Sequence, residues 1–106
     1  MMNELQIKRE VHLETHMTDA VGELASLLLS KHRDYGPKNI SQAPGGPLNG
    51  LRVRMHDKLA RINNLVDSGA DPQHESMEDS FKDMANYAII GLLVLRGQWD
   101  EDIRTV

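Results

Sequence analysis

Three carboxylates follow one another at four-residue intervals near the carboxyl end of the chain: Glu75, Asp79 and Asp83. In a helix this spacing places them on one face, where like charges repel by roughly 0.2–0.5 kcal/mol per exposed pair. Such a face is either solvated or neutralised by a cation. Carboxylate oxygens suit Mg²⁺, which completes its shell with water and substrate phosphates. We therefore predict that Asp79 and Asp83 are catalytic metal ligands with Glu75 beside them, and that Asn86, on the same strip, contacts the ligand.

A second charged row precedes this strip. Arg54, Asp57, Lys58 and Arg61 occupy positions i, i+3, i+4 and i+7, which again share a helix face. One interpretation is a surface row of ion pairs, each of which stabilises the fold very little. The other is a cationic row opposite the acidic strip, with Arg and Lys on phosphate oxygens. This second interpretation makes the three cations phosphate contacts and Asp57 a further metal ligand.

The segment "KHRDYGPKN" supplies a third group of candidates where a helix meets a loop. It is either an ordinary helix end, with cations at the dipole and a glycine–proline stop, or part of a ligand site. As part of a site, Tyr35 stacks on a base and Asn39 reads the edge of that base. Lys31 and Lys38 are the candidate ligand contacts beside them.

The apolar spacing predicts the elements that must position these residues. Three helices are expected, the first from an N-cap at Thr18 to the Gly36–Pro37 stop, the others over 51–66 and 75–95. The period-two pattern before the first helix favours a short strand or an extended arm over 1–17. Residues 34–50 hold three of the chain's four prolines and predict a long, mobile loop.

Composition limits the class of protein. A chain of 106 residues is one domain, and its net charge of −4 argues against general nucleic-acid binding. Cysteine is absent and the longest apolar stretch is too short to span a bilayer. No signal peptide is visible, so we expect a cytoplasmic protein without a membrane partner.

The last predicted helix is apolar nearly all round from Met84 to Leu95. A helix of this kind is buried by other helices, and one chain supplies too little material to cover it. We therefore predict an all-α fold, a small bundle of three main helices that is completed by oligomerisation into a homodimer or homotetramer.

In this order, "KHRDYGPKN", "LRVRMHDKLARINNL" and "ESMEDSFKDMANYAII" resemble the nucleotide-modification-associated domain family over residues 31–95. This family is found largely in phages and is distantly similar to MazG-like and dimeric-dUTPase all-α nucleotide pyrophosphohydrolases. The resemblance implies a Mg²⁺ site between helices that releases pyrophosphate from a nucleoside triphosphate. Asp79 and Asp83 then stand for the later acidic motif. The earlier glutamate motif is missing, since Asp57 lies among cations there, and Glu23 is the substitute.

Three functions stay open at this point. The first is a Mg²⁺-dependent nucleotide pyrophosphohydrolase of phage nucleotide metabolism or modification. The second is a protein that binds a nucleotide without turnover, as a sequestering protein or an accessory subunit, with phosphate held directly by the basic row. The third is a helical oligomerisation module in which the acidic and basic rows form ion pairs between subunits.

Overall fold

The computed structural model describes residues 1–99, and within that range the protein is all-α, without a strand. Its helices are α1 (Glu4–Tyr35), α2 (Lys38–Ser41), α3 (Pro47–Ser68) and α4 (Met77–Leu95). The predicted all-α class with three long helices is thereby confirmed. None of the described helices is long and apolar enough to cross a membrane. Residues 100–106 lie outside the described part.

The predicted strand or extended arm over 1–17 is wrong, because α1 begins at Glu4 and is continuous to Tyr35. Asn3 caps the helix: its side chain accepts from the Gln6 amide, and the Gln6 side chain accepts from the Asn3 amide. This reciprocal pair satisfies two of the amides that a helix start leaves free. Thr18, predicted as the N-cap, lies inside the helix. Strong helix formers over 4–14 outweigh the period-two apolar pattern.

The predicted stop is confirmed, since α1 ends at Tyr35 and Gly36 has a φ of 70°, which favours glycine. The irregular loop predicted over 34–50 is wrong in part. It contains α2, whose Ile40 is buried in the core, and the first turn of α3. Pro47 fits the start of α3 because its missing N–H would have no helical partner there. The mobility of 34–50 stays a prediction.

An antiparallel hairpin of α3 and α4 forms the main body of the fold. The two helices are in close contact along their length, and a Cβ added at Gly91 would lie 3.9 Å from Leu51 Cδ1. The α3 helix ends at Gly69 in the left-handed conformation, and α4 starts after an N-cap at Ser76. Glu75 therefore precedes α4 instead of sharing a helical face with Asp79 and Asp83, which corrects that part of the predicted strip.

The core lies where α1, α2 and the residues after α4 meet the hairpin. Its buried cluster consists of Ile40, Leu51, Ile90 and Trp99, and Ile62 and Leu65 of α3 are buried as well. The C-terminal half of α1 packs on α4, whereas residues 4–23 carry no buried side chain. The core therefore holds one end of α1 against the hairpin and leaves the other end projecting.

Candidate functional site

A cleft of about 280 Å³ lies between the C-terminal end of α1, α2 and the α3–α4 hairpin. Side chains of all four helices and of the segment after α4 line it. They are Leu28, Lys31, His32, Tyr35, Gly36, Asn39, Ile40, Arg54, Asp83, Asn86, Tyr87, Ile90 and Trp99. The volume lies near the lower end of the roughly 300–1,000 Å³ that is usual for small-molecule sites. Charged groups, amides and aromatic rings therefore share one concave surface.

Asp83 lies at the centre of the charged part of the cleft. Its Oδ1 accepts from Lys31 Nζ at 2.6 Å, and its Oδ2 lies 2.8 Å from Lys58 Nζ. Lys58 Nζ also donates to both oxygens of Glu75, at 3.1 and 3.2 Å. Two ammonium groups and two carboxylates thus form one chain of contacts that joins α1, α3 and the segment before α4.

The protonation of this chain follows from its contacts. Burial raises the pKa of the Asp83 carboxyl, but the hydrogen bonds and charges of Lys31 and Lys58 lower that pKa by more, so it lies below its usual value. Burial lowers the pKa of the Lys58 ammonium, but hydrogen bonds to Asp83 and Glu75 raise that pKa by more. Both groups are therefore charged at neutral pH, and each holds the other in place.

Arg54 is the second cation on the cleft wall. Its Nη2 donates to the main-chain oxygen of Asn39 at 3.1 Å, which ties α3 to α2. A guanidinium carries five N–H donors in a planar fork, so this one bond leaves others for a ligand. Together with Lys31, Arg54 gives the cleft two positive groups that an anion can reach.

Asn86 lies at the back of the cleft and is only 4 % exposed. Its Nδ2 donates to the main-chain oxygen of Leu24 at 3.2 Å, which fixes the orientation of the amide. Among residues 1–99 its buried Oδ1 has no hydrogen-bond partner. A buried acceptor without a partner destabilises a protein by about 1–3 kcal/mol, so this oxygen calls for a partner from outside the chain, which a ligand or a water molecule can supply.

Aromatic rings form the opposite wall. His32 and Trp99 meet edge to face with ring centroids 5.2 Å apart, and Trp99 Nε1 donates to the main-chain oxygen of Pro37 at 3.1 Å. Tyr87 and the exposed Tyr35 complete the wall. His32 and Trp99 thus pack directly on each other, and the exposed ring of Tyr35 offers a flat π face to a planar ligand.

The structure brings six of the predicted site residues together in the cleft. They are Lys31, Tyr35, Asn39, Arg54, Asp83 and Asn86. The other six lie outside the cleft lining: Lys38, Asp57, Lys58, Arg61, Glu75 and Asp79.

Arg61 and Lys58 have structural partners instead of facing the cleft. Arg61 donates to Ser80 Oγ at 2.5 Å and to the main-chain oxygens of Glu75 and Ser76, and thereby fixes the segment that leads into α4. Ser80 is fully buried beneath it. The predicted phosphate contacts of Arg61 and Lys58 thus compete with contacts that hold α3 to α4.

The predicted magnesium ligands do not come together. Among residues 1–99 no three histidine, aspartate or glutamate side chains form a group that could hold a metal. Asp57 and Asp79 are exposed, while Glu75 and Asp83 already share the Lys58 ammonium. The donor set as arranged does not fit Mg²⁺, because a lysine supplies the positive charge between its two nearest carboxylates. The magnesium stays a prediction.

Sequence reasoning missed the aromatic half of the cleft. His32 lies in the segment "KHRDYGPKN" but is not among its predicted site residues, and Trp99 follows the last predicted helix. Both are buried and in contact although 67 positions separate them in the chain. The only signal in the sequence was that the single tryptophan follows directly after the most apolar helix.

The comparisons with known proteins identify a family for this chain. A model of the family described as nucleotide modification associated domain 1 matches residues 31–95. Neither the curated proteins nor the solved structures contain a match to the chain. The matched residues include the charged and amide part of the cleft and exclude Trp99.

Proposed function

This chain belongs to the nucleotide modification associated domain 1 family, whose model covers more than half of it, and we propose that its cleft binds a nucleotide. The observation that carries the proposal is the cleft itself, which joins two accessible cations to a buried amide and an aromatic wall. A nucleotide has the same three parts in its phosphates, its hydrogen-bonding base edge and its planar base.

The phosphate end of the ligand lies at Arg54 and Lys31. Charge-assisted hydrogen bonds from a guanidinium to a phosphate are about twice as strong as neutral ones. Lys31 is bound to Asp83, but its side chain is half-exposed. It can therefore turn its ammonium from Asp83 to an incoming anion. These two residues hold phosphate without a metal ion.

The base end lies at Asn86 and the aromatic wall. The Oδ1 of Asn86 accepts an N–H from the base edge, and the ring of Trp99 or Tyr35 lies against the base. A site that gains a hydrogen bond to a buried acceptor discriminates strongly against ligands that lack the donor. Asn39, on the cleft lining beside Arg54, adds polar groups for the sugar or base.

Tryptophan fluorescence provides the test, because Trp99 is the only tryptophan in the chain and lines the cleft. Titration with a panel of mono-, di- and triphosphates, with and without Mg²⁺, should change its emission saturably for at least one nucleotide. Arg54→Met should weaken the binding of that nucleotide by about tenfold or more, and tenfold corresponds to about 1.4 kcal/mol of binding free energy. Arg52→Met is the matched control, since Arg52 bonds Asn49 and does not line the cleft. An equal effect of both variants, or no response to any nucleotide, refutes the proposal.

A second candidate function is the Mg²⁺-dependent pyrophosphohydrolase that the resemblance to MazG-like enzymes implies. The observation that favours it is Asp83, a carboxylate on the cleft wall that would have to exchange Lys31 or Lys58 for the metal ion. Magnesium sites commonly use one or two carboxylates and complete the shell with substrate phosphates. Chromatography of a nucleoside triphosphate incubated with the protein decides between the two. Monophosphate and pyrophosphate formed only with Mg²⁺ support the enzyme, and an intact triphosphate that binds supports sequestration or an accessory role.

A further inference from the structure

The α3–α4 hairpin carries an exposed apolar row on α4, on the side away from the cleft. The row consists of Phe81, Ala85, Ala88, Leu92 and Leu95, at alternating spacings of four and three residues. This is the repeat of a coiled-coil seam, which a second helix covers. The three large side chains of the row are 50–70 % exposed. At 100° per residue the row lies half a turn from the α4 residues that line the cleft.

A parallel row runs along α3. Leu48, Leu59 and Val66 are 44–63 % exposed, and Met55 between them is half-buried. This row lies about a third of a turn from Arg54, Lys58 and Arg61, which face the cleft or the charged chain beside it. We call the α3 and α4 rows together the back face of the hairpin.

The chain exposes more surface than a compact chain of the same mass does. The accessible surface is 8012 Å², about 2,000 Å² more than the roughly 6,000 Å² of a compact chain of this mass. The radius of gyration is 17.1 Å, against about 13 Å for a compact domain of this length. A stable interface needs about 800 Å² from each partner, so the excess suffices for one. The projecting N-terminal half of α1, residues 4–23, supplies part of the excess.

We propose that the back face docks on the same face of a second copy, so that two α3–α4 hairpins form a four-helix bundle. A two-fold interface requires a self-complementary patch, and two antiparallel helices that each present one apolar row are half of such a bundle. The small Ala85 and Ala88 at the centre of the α4 row let a facing helix approach closely. This arrangement covers Leu92 and Leu95 and leaves both clefts open on the outer sides of the dimer.

The competing surface is the N-terminal half of α1, which exposes Met17 and Val21 by 57 % and 60 %. It carries a matched control for the test. In sedimentation at low micromolar concentration the wild type should run at twice the 11.9 kDa of one chain. Leu92→Glu should run as a single chain with its helical circular dichroism retained, and Met17→Glu should run as the wild type. A wild-type monomer, or dissociation by Met17→Glu alone, overturns the proposal.

A second measurement does not depend on a charged variant that folds. The chain has no cysteine, so a single introduced thiol reports one position only. In the proposed dimer the α4 rows of the two copies face each other across the two-fold axis, and Ala88 is the middle of this row. Ala88→Cys should therefore form a disulfide-linked dimer under mild oxidation, whereas Val21→Cys, on α1, should not. Efficient linkage through position 21 with none through position 88 would place the interface on α1 and refute the back-face dimer.

Discussion

Replacing Lys58 by methionine removes one cation from between two carboxylates and tests what that cation does. The Lys58 ammonium lies 2.8 Å from Asp83 and 3.1 Å from Glu75, and the side chains of these residues are 20 %, 11 % and 33 % exposed. Methionine keeps the apolar stem, so the change removes little besides the charge and its hydrogen bonds. The variant therefore separates a structural lysine from a phosphate-binding one.

The expected loss of stability lies between two limits. Removing one partner of a fully buried pair destabilises by about 3–5 kcal/mol, and exposed pairs contribute about 0–1 kcal/mol. Asp83 keeps Lys31 at 2.6 Å, and Glu75 can turn toward water. We therefore expect Lys58→Met to lower the free energy of unfolding by about 1–2 kcal/mol. For a domain of this size that corresponds to a fall in Tm of about 4–16 °C.

Urea denaturation followed by circular dichroism measures this loss, at one fixed protein concentration because association shifts apparent stability. Lys82→Met is the control. Its partners Glu23 and Glu78 are 63 % and 77 % exposed, so losing these ion pairs should lower the free energy of unfolding far less. Adding Glu75→Gln to Lys58→Met should recover part of the loss, because Glu75 is the carboxylate that then lacks a cation, whereas Asp83 keeps Lys31. A Lys58→Met variant as stable as the Lys82→Met control, yet as defective in nucleotide binding as Arg54→Met, would refute the structural role and restore the phosphate contact.

Four further outcomes follow from the same contacts. Stability should fall as the pH drops below about 4, because the folded state holds Asp83 ionised at a lowered pKa while the unfolded state takes up a proton; urea midpoints across pH should show the fall, flattened in Asp83→Asn. Asn86→Leu should change stability by less than about 1 kcal/mol, since it loses one hydrogen bond and also one unpaired acceptor; calorimetric titration should nevertheless show a clear loss of nucleotide affinity. Asp79→Asn, at an exposed position, should change the free energy of unfolding by no more than about 0.5 kcal/mol. Only if Asp79 holds Mg²⁺ should assays with and without the metal show a loss of Mg²⁺-dependent nucleotide binding or hydrolysis. Trp99→Phe should lower the free energy of unfolding by about 0.5–1.5 kcal/mol, as measured by thermal melting. The loss is small because the Pro37 oxygen keeps two main-chain donors. This variant should still bind the nucleotide, whereas Trp99→Ala should not.

The two helices of the hairpin could be predicted from the sequence because each carries a regular apolar stripe and a strong end signal. Pro47 and Gly69 bracket α3, and Ser76 caps α4, so the predicted bounds differ by no more than four residues. The N-terminal half of α1 could not be predicted in the same way. Its side chains are all exposed, so no core selects a stripe at helical spacing. What determines the helix there is the Asn3–Gln6 cap and helix propensity.

The candidate site divides along a similar line. Lys31, Tyr35 and Asn39 could be placed together because they flank one helix end. Arg54 and Asp83 could be placed beside them because the charged stripes border apolar ones. The sequence did not show which cations are already neutralised, since Lys58 and Arg54 stand on one stripe four residues apart. In the fold, Lys58 has a carboxylate on each side, whereas Arg54 lines the open cleft.

Trp99 adds a consequence for what the cleft recognises. The family match ends at residue 95, and the ring that closes the aromatic wall lies beyond that end. The charged part of the cleft is therefore formed by residues inside the matched segment, whereas part of the aromatic wall is formed by the segment that follows α4. Phosphate is common to all nucleotides and the base distinguishes them. In the proposed nucleotide site, helices inside the matched segment therefore hold the phosphate, and the Trp99 ring, which lies beyond that segment, contacts the base that distinguishes one nucleotide from another.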